Sequence, residues 1–139
     1  MINQSCIISC AHSGLVLTPH HSQREGKTLR QALWKGFFTQ RWVIKPDKDF
    51  FRISNFESRR EVTISQKALE RRVGTEITES MANKSGHNQW WSLEEVGFEL
   101  YAIRTAFAEN LYLGVKGVKE DAETELVSGE AATVWRIVG

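Results

Sequence analysis

Along this chain apolar side chains arrive in short bursts, most with a period of two, separated by turns rich in Ser, Gly, Asn and charge. Leu15-Val16-Leu17, Val62-Thr63-Ile64 and Leu111-Tyr112-Leu113 are such bursts, and so are Ile7-Ile8, Phe51-x-Ile53 and Tyr101-x-Ile103. A period of two sends successive side chains to opposite faces of a strand, whereas an amphipathic helix needs recurrence every three to four residues. The pattern predicts about twelve short strands and little helix. The best helical competitor is Ser65 to Arg72, whose Gln-Lys-Ala-Leu-Glu-Arg-Arg run holds good helix formers. With only two apolar positions it is expected to be a loop with about one turn of helix.

The bursts also repeat on a longer scale. Trp42, Trp91 and Trp135 are separated by 49 and 44 residues. Upstream of each lies a polar turn leading to an aliphatic: Gly26-Lys27-Thr28-Leu29, Gly74-Thr75-Glu76-Ile77 and Glu123-Thr124-Glu125-Leu126. The chain divides into units at about 1–46, 47–96 and 97–139. No unit can bury its apolar faces alone, and none looks like a polar cap, so a threefold barrel is expected rather than an open solenoid.

Two of the tryptophans close a Gln-x-Trp tripeptide, Gln40-x-Trp42 and Gln89-x-Trp91; the third reads Thr133-x-Trp135. With the intervening strands, and with Ala11-His12-Ser13-Gly14-Leu15-Val16-Leu17 as an opening hairpin, the whole chain resembles the ricin-type β-trefoil lectins. The resemblance implies an all-β, β-trefoil domain over 1–139. It also implies that the motif Trp packs each unit against the barrel, that the motif Gln ties loop backbone together, and that glycans or glycoproteins are the partners of a defence or storage lectin.

A sugar pocket needs acceptors and donors for hydroxyls and an aromatic face for the apolar side of the ring. The family's carboxylate after the second strand has Thr18, Thr63 and Gly114 at about the matching positions, none of them acidic. Its stacking aromatic has a counterpart in Trp34, while the second unit offers Ser80-Met81 and the third nothing aromatic. A non-standard specificity follows. The candidate groups are Thr18, His20, His21, Trp34 and Gln40 in the first unit, and Asn83, His87, Asn88 and Gln89 in the second. Trp34 reads equally as a partly buried barrel residue, and His20-His21 as a solvated turn after Pro19. The third unit is expected to be silent, because Leu126 to Trp135 spans nine residues where Leu29 to Trp42 and Ile77 to Trp91 span 13 and 14.

Composition narrows the classes. At 139 residues, 41% apolar and 25% charged, the chain can bury a core as one domain and is not of disordered composition. No apolar run approaches the roughly 20 residues of a spanning helix, so no membrane insertion is expected. The start, Met-Ile-Asn-Gln-Ser-Cys, lacks the features of a signal peptide, which makes a cytoplasmic location the expectation. Net charge is +1, but residues 1–46 hold six Lys/Arg against one acid, 47–96 eight against nine, and 97–139 four against seven. Arg59-Arg60 and Arg71-Arg72 are diluted by Glu57, Glu61 and Glu70, so a nucleic-acid partner is not expected.

Cys6 and Cys10 lie four apart in a predicted strand, roughly 13 Å between Cα atoms, too far for a disulfide. Neither has a His in register, His12 and His87 lack metal-ligand companions, and no hydrolase or phosphate-binding motif is present. No enzyme activity, metal or cofactor is expected. The second function class is a β-trefoil protease inhibitor or protein-interaction scaffold, presenting Ser65 to Val73 or the Lys45 to Phe51 connection to a partner.

Overall fold

A computed structural model describes residues 4–65, 72–84, 86–106 and 108–139. The described residues form twelve strands: β1 (Ser5–Cys10), β2 (Val16–Thr18), β3 (Arg30–Ala32), β4 (Trp42–Asp47), β5 (Phe50–Asn55), β6 (Glu61–Ile64), β7 (Ile77–Ser80), β8 (Trp91–Gly97), β9 (Leu100–Thr105), β10 (Leu111–Val115), β11 (Thr124–Ser128) and β12 (Trp135–Val138). Two short 3-10 turns, Phe38–Gln40 and Gly129–Ala131, precede β4 and β12. Residues 66–71, most of the Ser65 to Arg72 helical competitor and of the Ser65 to Val73 presenting loop, lie outside the described residues.

Antiparallel pairing runs from β1 to β4, β5, β8, β9, β12 and back to β1, which closes a six-stranded barrel. Hairpins β2–β3, β6–β7 and β10–β11 hang from β1, β5 and β9 through β2, β6 and β10. A closed barrel capped by three hairpins is a β-trefoil. Closure removes the open edges that such short strands would otherwise expose.

The alternating bursts become the core. Ile8, Ile53 and Ile103 fill matching positions on β1, β5 and β9, while Leu17, Val62 and Leu113 do so on the hairpins, all fully buried. Trp42, Trp91 and Trp135 are fully buried as well, and each indole N–H must find an acceptor. They donate to the carbonyls of Leu17 (3.0 Å), Val62 (3.1 Å) and Leu113 (2.9 Å), so one bond clamps each hairpin to its barrel strand. Cys6 and Cys10, both on β1, are buried free thiols. Burial pushes the Cys6 thiol up to about 11.

The hairpins meet around the threefold axis through three equivalent bonds, Gly26 N–H to the Glu79 carbonyl, Gly74 N–H to Leu126, and Asp121 N–H to Gln31, at 2.7 to 2.8 Å. All three donors have left-handed backbone, with φ of 81°, 93° and 72°. This corrects the register of the third unit: the counterpart of Leu29 and Ile77 is Thr124, not Leu126. Asp121 takes the left-handed position that glycine holds in the other units, and Asp is among the few side chains that tolerate it. Thr124 then stands on the axis, its hydroxyl within 3.0 Å of the carbonyls of both Leu29 and Ile77, which satisfies a fully buried polar group.

Candidate functional site

In the first unit the chain leaving β2 and the loop after β3 enclose a cleft of about 270 Å³. Thr18, Pro19, His20, His21, Gln23 and Arg30 line one side, and Leu33, Lys35, Phe37, Thr39 and Gln40 the other. Thr18, His20 and Gln40 are thus brought together as expected from the sequence. Trp34 is not a lining residue: it is exposed beside the cleft, and the aromatic ring in the wall belongs to Phe37, three residues on. Alternation along the loop would not identify that ring, because Gly36, with φ of 75°, turns the chain between them.

The Gln40 amide is committed to the protein. Its Oε1 accepts the Lys35 N–H at 2.8 Å, and its Nε2 donates to the Leu33 carbonyl at 2.8 Å and the Thr18 hydroxyl at 3.3 Å. The Thr18 hydroxyl in turn donates a hydrogen bond to the Val16 carbonyl at 2.8 Å. These buried groups shape the cleft floor, leaving His20, His21, Gln23, Arg30 and Lys35 as its polar rim. Arg30 holds the Pro19 carbonyl and is paired with Asp121, which lies 3.6 Å from His21. None of the residues lining this cleft is a carboxylate.

The second unit repeats the floor and ties the loop before Gln89 to it. Gln89 Nε2 donates to the Met81 carbonyl and the Thr63 hydroxyl, and its Oε1 accepts from Asn83 N–H. Asn83 bonds Asn88 Oδ1 at 3.1 Å, and Asn88 Nδ2 reaches the Ile64 carbonyl at 3.2 Å. His87, exposed, stacks on Trp90 with ring centroids 6.4 Å apart. The four candidates form one cluster, but as a packed loop held by internal bonds.

Arg52 occupies that cluster, a residue with no local signal in the sequence. Its Nη1 donates to Gln89 Oε1 and Glu61 Oε1, both at 2.9 Å, its Nη2 to the Asn83 carbonyl at 2.7 Å, and its Nε to Asp47 Oδ2 at 2.6 Å. The hydrogen bond from Arg52, aided by one from Trp90, holds the Asp47 carboxyl below the usual carboxylate range. The Lys45 to Phe51 connection is the β4–β5 hairpin, and Asp47 within it is engaged by these bonds.

The third unit has a cleft of about 550 Å³ that reaches Thr133 at the motif position but extends to the first unit's Cys10, Ala11 and His12, its other lining residues being Val115, Gly117, Val118 and residues 131–134. Thr133 replaces the motif Gln, and Gly114 replaces the Thr beneath it: a Cβ there would meet Val127 at 2.7 Å and Thr133 Oγ1 at 3.0 Å. Counted from its true counterpart, Thr124, the approach to Trp135 is eleven residues, so the loop is shortened by two or three rather than four or five. The result is a wider, more apolar opening with few groups to fix a sugar.

The β-trefoil fold is shared with proteins of known structure, lectins among them. The chain superposes on the designed threefold-symmetric protein ThreeFoil with a TM-score of 0.84, at 18% identity over 97% of this chain and 98% of that one. A ricin B-like lectin from Macrolepiota procera, solved in complex with lactose, gives 0.81 at 14% identity over 99% and 96%. The Rhizoctonia solani agglutinin gives 0.82 at 14% over the same shares. No protein-family model matches the sequence, and no curated protein matches it by sequence. At these identities the likeness establishes the fold.

Proposed function

We propose that this protein is a carbohydrate-binding β-trefoil and that the first unit's cleft is its sugar site. The observation that carries the reading is the composition of that cleft: the Phe37 ring on one wall, facing a rim of His20, His21, Gln23, Arg30 and Lys35 over a floor sealed by Thr18 and Gln40. Ring and rim supply the stacking face and the hydroxyl partners that a sugar needs. Support comes also from the fold shared with ricin B-like lectins, one of them in complex with lactose. The lining holds no carboxylate, and with Arg30 paired to Asp121 it is Lys35 that offers a cation outside the ion pairs of the described residues. The specificity therefore differs from a site built on an aspartate, and sugars that place an acidic group at Lys35 are favoured.

A glycan array covering neutral, sulfated and uronate-containing sugars tests the reading, followed by calorimetry on the strongest ligand. Binding to acidic glycans is the expected result. A folded protein that retains nothing on the array overturns the assignment.

A further inference from the structure

The loop between β3 and β4 turns four large apolar side chains outward, Leu33, Trp34, Phe37 and Phe38, and Phe56 joins them from the turn after β5. These five are 41% to 62% exposed and make up half of the ten large apolar side chains exposed among the described residues. The Phe38 and Phe56 rings touch, with centroids 5.7 Å apart. An apolar patch gathered in one place marks an interaction surface in a way that scattered exposed residues do not.

The loop is pinned. Gln40 holds Leu33 and Lys35 through its side chain, its backbone N–H donates to the Phe37 carbonyl at 3.0 Å, and Arg41 N–H donates to that of Phe38 at 3.1 Å. The side chains are therefore presented in a fixed arrangement, so little ordering entropy is lost on contact.

The patch has a cationic rim. Lys35 lies within the loop, and Lys45 and Arg59 share with Phe56 a depression of about 250 Å³. Among the described residues these three cations take no part in a salt bridge, and the neighbouring acid is Glu57.

We propose that this aromatic apron docks the protein on the surface of an anionic lipid bilayer. The rings of Trp34, Phe37, Phe38 and Phe56 enter the boundary between headgroups and acyl chains, while Lys35, Lys45 and Arg59 meet headgroup phosphates and carboxylates. The chain lies on the membrane and does not span it. A second copy is the weaker occupant, because a twofold contact through this face sets the same three cations against one another. Lys35 and Phe37 border both this surface and the sugar cleft, whereas Trp34, Phe38, Lys45, Phe56 and Arg59 do not line the cleft, so the test is made on them and without sugar.

Tryptophan fluorescence provides a test, since Trp42, Trp90, Trp91 and Trp135 are all buried and only Trp34 is exposed. Sugar-free vesicles of phosphatidylcholine, with and without phosphatidylserine, are the probe. Trp34 emission shifts to the blue with the serine-containing vesicles, bromine-labelled acyl chains quench it, and the protein co-sediments in a salt-sensitive manner. Phe38→Ser with Phe56→Ser, neither in the sugar cleft, weakens co-sedimentation about tenfold or more at unchanged melting temperature. If that pair compromises folding, Lys45→Glu replaces it and is expected to weaken binding to the anionic vesicles. No co-sedimentation at low salt, equal co-sedimentation of these variants, or a blue shift that tracks protein concentration without lipid, marking a second copy, overturns the proposal.

Discussion

Arg52 Nη1 donates to Gln89 Oε1 at 2.9 Å across 37 residues of sequence, and this one bond separates the second unit from the first. In the first unit the matching position on the barrel strand is Ile7, an aliphatic side chain that can make no such bond to Gln40. Arg52 also neutralises Glu61, whose side chain is buried. Arg52→Met leaves that carboxylate without its partner and is expected to cost about 3 kcal/mol, since breaking a buried pair from one side exposes the full desolvation penalty. Urea unfolding measures it; Arg52→Met in a Glu61→Gln background should cost markedly less.

The sugar reading separates two aromatic rings only three residues apart. Phe37→Ala is expected to weaken binding of the strongest array ligand by about 1 kcal/mol or more through lost stacking. Trp34→Ala, outside the cleft, leaves that affinity within error in calorimetry.

The motif tryptophans act on stability. Trp91 is fully buried and clamps Val62 through its indole N–H, so Trp91→Ala is expected to cost about 3 to 5 kcal/mol. The same loss at Trp42 and Trp135 is expected from their equivalent bonds, and an unchanged melting temperature at any of the three contradicts the clamp.

Glu79 sits at the position held by Gln31 in the first unit, buried, with Oε1 3.3 Å from Arg60 and Oε2 without a partner among the described residues. Burial raises its pKa above 4.5, against the opposing pull of Arg60. The folded protein therefore holds this proton at pH values where the unfolded chain has lost it. The stability associated with it is full below about 4.5 and falls as pH rises through the folded value. Glu79→Gln flattens that slope, and near neutral pH the variant is expected to gain on the order of 1 kcal/mol relative to its standing in acid. Denaturant midpoints at the two pH values give the comparison.

Both thiols are inaccessible in the folded state, and Cys6 resists ionisation with a pKa of about 11. A chromogenic disulfide reagent is expected to find almost no reactive thiol in the native protein and two per chain in denaturant. A single fast-reacting thiol would mean that β1 opens readily.

Much of the core was legible in the sequence, because short apolar bursts between polar turns mark strands that water drives inward, although alternation of buried and half-buried residues holds on β1 and not on β2 or β6, where every residue is buried. Ile8, Leu17, Ile53, Val62, Ile103 and the three spaced tryptophans are buried for that local reason. The third unit's register was not legible: Asp121 and Thr124 do by backbone conformation and hydroxyl bonding what Gly and an aliphatic do in the other two, and composition hides such an exchange. Nor could the chain alone reveal which side chains meet at each unit's motif. Arg52 meets Gln89, and Phe38 meets Phe56, only because barrel closure joins strands distant in sequence. Local clustering of apolar residues decides which segments enter the core; long-range pairing decides which polar and aromatic groups become neighbours, and on this β-trefoil the candidate sites depend on those neighbours.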